Sequence, residues 1–592
     1  MTVANRIFSI RGQMALMGLD AVIIPGSDPH MSEYLADHWK FREWVSGFTG
    51  SAGTVVILAD KAGLWTDSRY FIQAAKELEG SGIDLFKMGM PGVPAYQEWI
   101  VSELPAGSVA GINGQTISIA EAAKLSKTLK KNNLRLDTKV LLQDIVWEGR
   151  PPIPEEDVFE LDVKYAGLSR AEKTDAVRKL MRKKDVTHYV VCALDEIAWL
   201  LNLRGKDIGY NPVFYSFMVI SMNNINLFID PHKITSAIGK KLDNDGVKVF
   251  LYDKFYDYLS TLPAQSAFLV DPQKVNSAVL TAIPSSSGVK KELSIITKLK
   301  SVKNTTEIEG MKNCHIKDGA AMVKFLHWLD KNIGKEEITE LSAADKLQSF
   351  RSEQEGYMGD SFHTISAYGK NAALPHYSAS GESFAVLEPK GLYLVDSGGQ
   401  YFEGTTDITR TVALGPVTDE EKRDFTLVLK GHIALASAKF PQGTHGSQLD
   451  ILARHAMWQE GINYGHGTGH GIGHFLNVHE GPQSIRQQDN GIAMEEGMIT
   501  SNEPGLYKEG RHGIRTENLV LTVPYKNTEF GTFYAFETLT KCPIDTGALN
   551  IDMLTESEKE WINNYHADVY NALSSLLNND EKEWLKNKTH AL

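Results

Sequence analysis

Four carboxylates in the last third of the chain fall in two short segments of similar design. Asp396 ends an apolar run, and Asp407 follows it across a glycine-containing connection. Glu503 and Glu517 repeat the arrangement on either side of a Pro-Gly turn and the segment after it. Because turns bring strand ends together, each segment is predicted to be a hairpin that delivers two carboxylates to one place.

A glycine-rich stretch with His466 and His470 lies between these two segments. Burying several carboxylates together is costly, because each loses its hydration and repels the others. Two divalent metal ions would cancel the four negative charges, and an imidazole would add a nitrogen ligand. The pattern therefore indicates a dinuclear metal site. An oxygen-rich ligand set without thiolate favours Mn(II), with Co(II), Fe(II) and Zn(II) as alternatives.

Such a metal pair predicts a hydrolase. Two divalent ions that share a hydroxide provide a nucleophile at neutral pH and polarise a carbonyl group, as peptide-bond or amidine hydrolysis requires. The spacing from His466 to His470 lacks the glutamate of H-E-x-x-H, so a zincin helix is not expected. The same region also contains His376, His474 and His479, and any one of these alone is more often structural than catalytic.

The segment 405–412 is predicted to be one strand. A period of two places alternate residues on one face, namely Thr405, Asp407, Thr409 and Thr411. A single strand of this kind is more often a solvent-exposed polar face. The apolar strand before Asp396 and the second carboxylate pair favour a buried site instead.

Composition limits the class of protein. The chain has 592 residues, 42% of them hydrophobic, which suits a soluble globular protein of about three domains. A net charge of −13 argues against a nucleic-acid partner. Three cysteines, none in a C-x-x-C pair, favour a reducing cytoplasm. We expect neither a secretory signal nor a membrane-spanning segment.

The order of predicted elements divides the chain into three blocks. Residues 1–150 predict an α/β domain, and residues 151–300, which begin with a proline-rich linker, repeat a similar order of helix, strand, helix and hairpin. Residues 301–592 alternate helices with the carboxylate hairpins, which predicts an α+β domain. Two capping boxes mark helix starts in this block, at Asn304 with Glu307 and at Thr418 with Glu421.

The order Asp396, Asp407, His470, Glu503, Glu517 resembles the five-ligand set of the pita-bread metallopeptidases, which include methionine aminopeptidase, prolidase and aminopeptidase P. The strings VDSGGQYFEGTTDITRT, HGTGHGIGHFLNVHEGP, NEPGLY and GIRTEN carry this resemblance. In the earlier blocks, ALDEIAWLLNLRG, NPVF and WTDSRYFIQAA look like the long, three-domain, cytosolic type of Xaa-Pro aminopeptidase. The resemblance covers essentially the whole chain.

The resemblance implies a fold and a set of residue roles. The fold would be two related N-terminal α/β (creatinase-like) domains followed by a pita-bread α+β catalytic domain. Asp396 would chelate one metal, Asp407 and Glu517 would bridge the pair, and His470 and Glu503 would complete the second site. The implied catalytic residues are His376, His479 and Glu503. The implied substrate-binding residues are His376, His466, Tyr507 and Arg515.

The resemblance also implies an activity and partners. A metalloaminopeptidase of this type hydrolyses the bond between an N-terminal residue and a penultimate proline. The expected partners are proline-containing peptides and a second copy of the chain in a cytoplasmic homodimer, with no nucleic acid and no membrane. One departure from the family pattern is the basic connection that carries Lys508, Arg511 and His512, which bears on substrate entry.

Three alternatives remain open at this point. Prolidase cuts Xaa-Pro dipeptides and must hold the free carboxylate of proline, but the long N-terminal region favours the aminopeptidase. A creatinase-type amidinohydrolase uses the same fold without metals, and the presence of all five ligands argues against it. A non-catalytic pita-bread binding module would take up no stoichiometric Mn(II).

Overall fold

The computed structural model describes residues 1–381 and 383–592. Within these residues, none of the helices combines the length and the apolar character needed to cross a membrane. In chain order the helices are α1 (Val3–Met17), α2 (Phe41–Ser46), α3 (Phe71–Glu77), α4 (Tyr96–Glu103), α5 (Ile119–Lys131), α6 (Gln143–Val146), α7 (Val163–Ala166), α8 (Arg170–Lys183), α9 (Leu194–Leu201), α10 (Ser236–Asn244), α11 (Phe255–Ser260), α12 (Ala278–Ala282), α13 (Ile295–Ser301), α14 (Thr305–Asn332), α15 (Glu340–Ser352), α16 (Asp419–Ala436), α17 (Gly446–Gln459), α18 (Glu556–Leu573) and α19 (Asn579–Lys588).

The chain forms two compact units. The first comprises Met1–Leu161 and Leu168–Ile296, and the second comprises Asp162–Gly167 and Thr297–Leu592. The strands of the first unit are β1 (Ala21–Pro25), β2 (Thr54–Leu58), β3 (Ala62–Thr66), β4 (Asp84–Lys87), β5 (Val109–Ile112), β6 (Arg135–Asp137), β7 (Phe159–Glu160), β8 (His188–Val191), β9 (Leu203–Arg204), β10 (Phe217–Ser221), β11 (Ile225–Phe228), β12 (Val247–Phe250), β13 (Ala267–Val270) and β14 (Gly288–Lys291).

The first unit contains two six-stranded mixed sheets with equivalent topology. Their strand orders are β4-β3-β2-β1-β5-β6 and β12-β11-β10-β8-β13-β14. In the first sheet β1 pairs antiparallel with β2 and parallel with β5, and in the second sheet β8 pairs antiparallel with β10 and parallel with β13. The predicted duplication of one α/β domain is therefore present in the fold.

The second unit combines short antiparallel sheets with long helices. Both predicted capping boxes are present, at Asn304 with Glu307 before α14 and at Thr418 with Glu421 before α16. Its strands are β15 (Tyr357–Asp360), β16 (Ile365–Tyr368), β17 (Leu392–Ser397), β18 (Gly399–Tyr401), β19 (Gly404–Thr405), β20 (Ile408–Ala413), β21 (Lys439–Pro441), β22 (Gly469–His470), β23 (Ser484–Ile485), β24 (Ile499–Asn502), β25 (Gly505–Lys508), β26 (His512–Arg515), β27 (Asn518–Thr528) and β28 (Gly531–Thr538).

The single strand predicted over 405–412 is wrong, because Thr406 and Asp407 interrupt it. β19 ends before this pair and β20 begins after it. The Thr406 carbonyl accepts a hydrogen bond from the Ser361 hydroxyl at 2.8 Å, and the Thr406 N–H donates to the Gly399 carbonyl at 2.9 Å. Asp407 therefore lies in a short connection between strands rather than in the middle of one.

The short helix α7 belongs to the second unit although its sequence neighbours belong to the first. The Tyr165 ring stacks on the Phe402 ring with centroids 5.7 Å apart. The Asn304 side-chain amide donates to the Ala166 carbonyl at 3.0 Å. These contacts join α7 to the start of α14 and to the segment after β18.

Candidate active site

Two strand pairings bring the four carboxylates together. β17 and β20 are antiparallel, with Asp396 opposite Thr409. β24 and β27 are antiparallel, with Asn502 opposite Asn518, so Glu503 and Glu517 lie next to the paired ends. The Glu517 N–H donates to the Thr409 carbonyl at 3.1 Å, which joins the two pairings.

Asp407, His470 and Glu517 form a cluster that can hold a metal ion. One ligand atom of each lies within 4.8 Å of the others. His470 Nε2 is 3.4 Å from Asp407 Oδ2 and 3.5 Å from Glu503 Oε1. An imidazole nitrogen surrounded by carboxylate oxygens is a donor set that suits a divalent transition metal.

Asp396 has a carboxylate oxygen that is available to a ligand. Its Oδ2 accepts a hydrogen bond from Arg515 Nη2, whereas its buried Oδ1 has no hydrogen-bond partner. Buried carboxylate oxygens are normally satisfied. The unsatisfied Oδ1, together with the nearby cluster, fits a metal ligand.

Burial governs the ionisation of this site. It raises the pKa of Asp396 above its ordinary value, against the opposing effect of Arg515. Burial also raises the pKa of Glu503 to about 7. The pKa of Glu517 lies well above the usual range because of burial and the neighbouring charge of Asp407. Without a cation, these carboxylates hold protons more tightly than in water.

This ionisation predicts how the chain responds to pH when a chelator has removed divalent metal. A carboxyl group whose pKa is raised in the folded state contributes stability that is fully present below its unfolded pKa. This contribution is lost as pH rises through its folded pKa. For Glu503 the pKa rises from the ordinary value of 4.5 to about 7. This difference corresponds to roughly 3 kcal/mol of folding free energy that is lost as pH rises between the two values. The Tm of the stripped chain should therefore be lower at about pH 8 than at about pH 5.

Added Mn(II) provides the control for this measurement. Since bound metal replaces protons on the same carboxylates, it should raise Tm more at the higher pH than at the lower. Calorimetry on the stripped and the reloaded chain measures both effects. A stripped chain whose Tm is highest at the higher pH would contradict the assignment of raised pKa values.

Two hydroxyl groups that were not predicted as site residues support the carboxylates. Thr409 Oγ1 donates to Glu517 Oε2 at 2.7 Å and accepts from Arg515 Nε at 3.1 Å. Ser501 Oγ accepts from the His470 N–H at 3.0 Å and donates to Glu503 Oε1 at 3.3 Å. The predicted periodicity did place Thr409 on the same face as Asp407, and this was the available signal.

His466, Tyr507 and Arg515 form a hydrogen-bonded series that reaches the carboxylates. His466 Nε2 lies 2.8 Å from the Tyr507 hydroxyl, which accepts from Arg515 Nη1 at 2.7 Å. Arg515 then pairs with Asp396. Burial raises the pKa of Tyr507 to about 12, so the hydroxyl stays neutral. Three residues predicted to bind substrate therefore lie together beside a predicted metal ligand.

His479 lies against the cluster. Its ring centroid is 4.4 Å from that of His470, with the two rings nearly perpendicular. His376 follows the short 3-10 turn Gly369–Ala373. The Ala372 carbonyl oxygen of this turn packs so closely on Gly513 that a Cβ at position 513 would overlap the oxygen. Gly513 belongs to β26, the strand that ends with Arg515. His474 is buried.

A buried ion pair fixes the stretch that carries His466. Arg454 Nε donates to Asp450 Oδ2 at 2.7 Å, and its other nitrogens donate to the backbone carbonyls of Tyr464 and His466 at 2.8 Å each. Thr468 Oγ1 donates to Asp450 Oδ1 at 2.6 Å. Asp450 and Arg454 lie four residues apart on α17, a spacing that favours such a pair, whereas the contacts with Tyr464, His466 and Thr468 leave no local signal in the sequence.

The basic residues that depart from the family pattern bind helix α16. Lys508 and Arg511 both pair with Glu420, at 2.8 and 2.7 Å. His512 Nε2 lies 2.8 Å from the buried carboxylate of Asp424. These contacts fix the β25–β26 hairpin, which carries Tyr507 and Arg515, to the helix.

Family models match almost the whole chain. Residues 309–524 match the model of metallopeptidase family M24. Residues 6–143 and 149–307 each match a creatinase/prolidase N-terminal domain. Residues 532–592 match the C-terminal region of peptidase M24.

Full-length relatives give the same picture. The chain is 43% identical over 612 residues to a probable Xaa-Pro aminopeptidase P of Coprinopsis cinerea, covering 99% of this chain and 98% of that one. It is 41% identical over 626 residues to aminopeptidase P2 of Arabidopsis thaliana, covering 99% and 88%. The crystal structure of X-prolyl aminopeptidase from Caenorhabditis elegans, described as a cytosolic enzyme with a di-nuclear active site, superimposes with a TM-score of 0.96 at 37% identity, covering 100% of both chains.

Proposed function

Because the chain belongs to metallopeptidase family M24, with two creatinase/prolidase N-terminal domains before the M24 region, we propose that it is a dinuclear metal-dependent Xaa-Pro aminopeptidase. It hydrolyses the bond between an N-terminal residue and a penultimate proline. The predicted family, fold class and enzymatic activity are thereby confirmed. The observation that carries the function is the meeting of the Asp407–His470–Glu517 cluster with Arg515, Tyr507 and His466 in one site.

Five residues would hold the two divalent ions. These residues would be Asp396, Asp407, His470, Glu503 and Glu517, which offer four carboxylates and one imidazole. When bound, the ions supply a water-derived nucleophile at neutral pH and polarise the scissile carbonyl. Mn(II) is the metal we propose, because four carboxylates to one imidazole is an oxygen-rich set without thiolate.

Three residues would handle the substrate carbonyl and the protons. Glu503 lies 3.5 Å from His470 and would move a proton from the attacking water to the prolyl nitrogen that leaves. His479, edge-on to His470, would donate a hydrogen bond to the developing oxyanion. His376 would donate to the carbonyl group of the bound peptide.

His466, Tyr507 and Arg515 would form the pocket for proline. The rings of His466 and Tyr507 are inclined at 66° with centroids 5.4 Å apart, so they provide two walls for a flat ring. Proline has no backbone N–H, so packing against the faces of these rings leaves no donor of the substrate unsatisfied. An N–H from any other residue would lose its hydration there without replacement.

The biological unit and the domain boundaries also belong to the proposal. We propose a cytoplasmic homodimer with domains at 1–150, 151–300 and 301–592. The family resemblance supports both, and the three buried cysteines, which form no disulfide, suit a reducing compartment. Light scattering would measure the oligomeric state.

The function is tested with three short peptides. Metal-stripped enzyme is incubated with Arg-Pro-Pro, Arg-Pro or Arg-Ala-Pro, with and without Mn(II), and release of arginine is measured. We expect Mn(II)-dependent cleavage of Arg-Pro-Pro, with little cleavage of the other two. Arg-Pro leaves a free carboxylate on the proline, and Arg-Ala-Pro presents an N–H to the pocket.

Each of the other outcomes selects another function. Preferred cleavage of Arg-Pro would mean a prolidase. Cleavage of Arg-Ala-Pro at a similar rate would mean an aminopeptidase without selectivity for proline. Failure to cleave any of the three with two metals bound would leave the binding module.

A further inference from the structure

Glu340 is a buried carboxyl group with no cationic side chain beside it among the residues that the structure describes. It is the first residue of α15 and is wholly buried. Among residues 1–381 and 383–592, no lysine, arginine or histidine lies within ion-pair distance of its carboxylate. Burying a carboxylate without a counter-ion is costly, so hydrogen bonds must compensate for its lost hydration.

The hydrogen bonds to Glu340 all come from one stretch of chain. Oε1 accepts from the Tyr368 N–H at 2.7 Å and from the Asn371 side-chain amide at 3.0 Å. Oε2 accepts from the Tyr377 hydroxyl at 2.8 Å and from the Ala385 N–H at 2.7 Å. Charge-assisted hydrogen bonds of this kind are stronger than neutral ones.

The four donors flank His376 on both sides. Two donors precede His376 in the sequence, one is the next residue, and the fourth follows eight residues later. The Tyr377 ring is buried with Ile365 and Leu394, and Leu394 lies on β17, the strand that carries Asp396. One carboxylate therefore gathers both ends of the stretch 368–385, of which the structure describes 368–381 and 383–385, and the described part lies against a strand of the active site.

The other face of this stretch rests on the substrate-binding hairpin. The Ala372 carbonyl occupies the space that a side chain at Gly513 would need, and Gly513 is two residues before Arg515. The stretch is thus held by Glu340 on one side and by β26 on the other. A change at Glu340 would alter the position of His376 relative to Arg515.

We propose that Glu340 is a positioning residue for His376. It touches neither substrate nor metal, and it acts through the hydrogen bonds that fix the 368–385 stretch. The proposal rests on the proposed function, because the contact of His376 with the peptide carbonyl is part of that function. Nothing in the sequence of α15 distinguishes Glu340 from an ordinary acidic residue in a first helical turn.

The test is a double-mutant cycle on Xaa-Pro peptide cleavage. Glu340→Gln keeps the size of the side chain but replaces one acceptor oxygen with an amide that cannot accept. We expect kcat/KM for Arg-Pro-Pro to fall about tenfold with metal content unchanged, since small displacements of a positioned group cost this much or more. In a His376→Ala background the same change should cost less than about twofold, because the residue it positions is gone.

A matched control separates positioning from the stability of the helix. Thr339→Ala removes the side chain that caps the same helix, whose Oγ1 accepts from the Ser342 N–H at 3.1 Å, and leaves all donors to Glu340 in place. This variant should keep kcat/KM within about twofold of the wild-type value. Tyr377→Phe removes a single donor and should lower kcat/KM less than Glu340→Gln does. This loss should likewise be absent in the His376→Ala background. It replaces Glu340→Gln if that variant does not fold.

Several results would overturn the proposal. Equal losses from Glu340→Gln with and without His376 would make Glu340 a general structural residue, and unchanged kinetics would leave it no role. Amide hydrogen exchange adds a readout that does not need activity, since Glu340→Gln should speed exchange over 368–385. If the unmodified enzyme cleaves no peptide, the proposed function fails. Unchanged exchange would then overturn the positioning of the stretch separately.

Discussion

Asp407→Asn is expected to lower Xaa-Pro hydrolysis by about a thousandfold or more, because metal-assisted polarisation supplies several kcal/mol of transition-state stabilisation. Asp407 shares one cluster with His470 and Glu517. An amide offers one neutral acceptor oxygen where a carboxylate offers two that share a negative charge. The variant should therefore bind less metal as well as turn over slowly.

The local backbone makes this a test of chemistry rather than of folding. Asp407 follows Thr406, whose carbonyl accepts from Ser361 and fills the space in which Gly398 lacks a side chain. Asparagine has nearly the same size as aspartate, so the break between β19 and β20 should persist. Circular dichroism would confirm that the variant is folded.

The measurement combines peptide cleavage with elemental analysis after dialysis. Asp580→Asn is the matched control, since Asp580 is a mostly exposed residue of the same unit that pairs with Lys331. It should keep both activity and metal. Near-normal turnover by Asp407→Asn with two metals bound would remove Asp407 from the ligand set.

His479→Ala is expected to reduce turnover by about a hundredfold to a thousandfold, the usual cost of removing one donor to an oxyanion. The ring of His479 lies edge-on to the ring of His470. We assign His470 to the metal and His479 to the substrate, so this variant should keep both metals bound. The largest loss should appear in kcat, because the interaction strengthens in the transition state.

Two controls distinguish a role of His479 in the reaction from a role as a metal ligand. His455→Ala changes an exposed histidine on α17 and should leave cleavage unchanged. Elemental analysis of His479→Ala should return the wild-type metal content. Loss of metal would make His479 a ligand, and wild-type turnover would remove it from the reaction.

Local signals in the sequence predicted much of the fold. The capping boxes at Asn304 and Thr418 depend on residues three apart, and both helices begin there. The duplicated order of α/β elements could be predicted because each helix and each strand has its own hydrophobic period. The break at Asp407 escaped this reasoning, because a period of two continues through Thr406 and says nothing about the carbonyl that Ser361 binds.

The site shows the same division between local and distant signals. The cluster of Asp407, His470 and Glu517 could be predicted because each residue lies in a distinctive local string. The contacts of Arg454 with Tyr464 and His466, and those of Glu340, were missed, because these partners lie outside the helices that carry the two residues. A carboxylate in a first helical turn is an ordinary sequence feature, and only the packing of 368–385 around Glu340 reveals its environment.

The position of α7 has a consequence for the evolution of this enzyme. The path of the chain crosses from the first unit to the second, returns, and crosses again, so the catalytic unit is not one contiguous stretch. A recombination event that exchanged only the region after residue 300 would separate Tyr165 from Phe402 and the Ala166 carbonyl from Asn304. Inheritance of the catalytic unit therefore depends on residues 162–167, which are encoded within the sequence of the first unit.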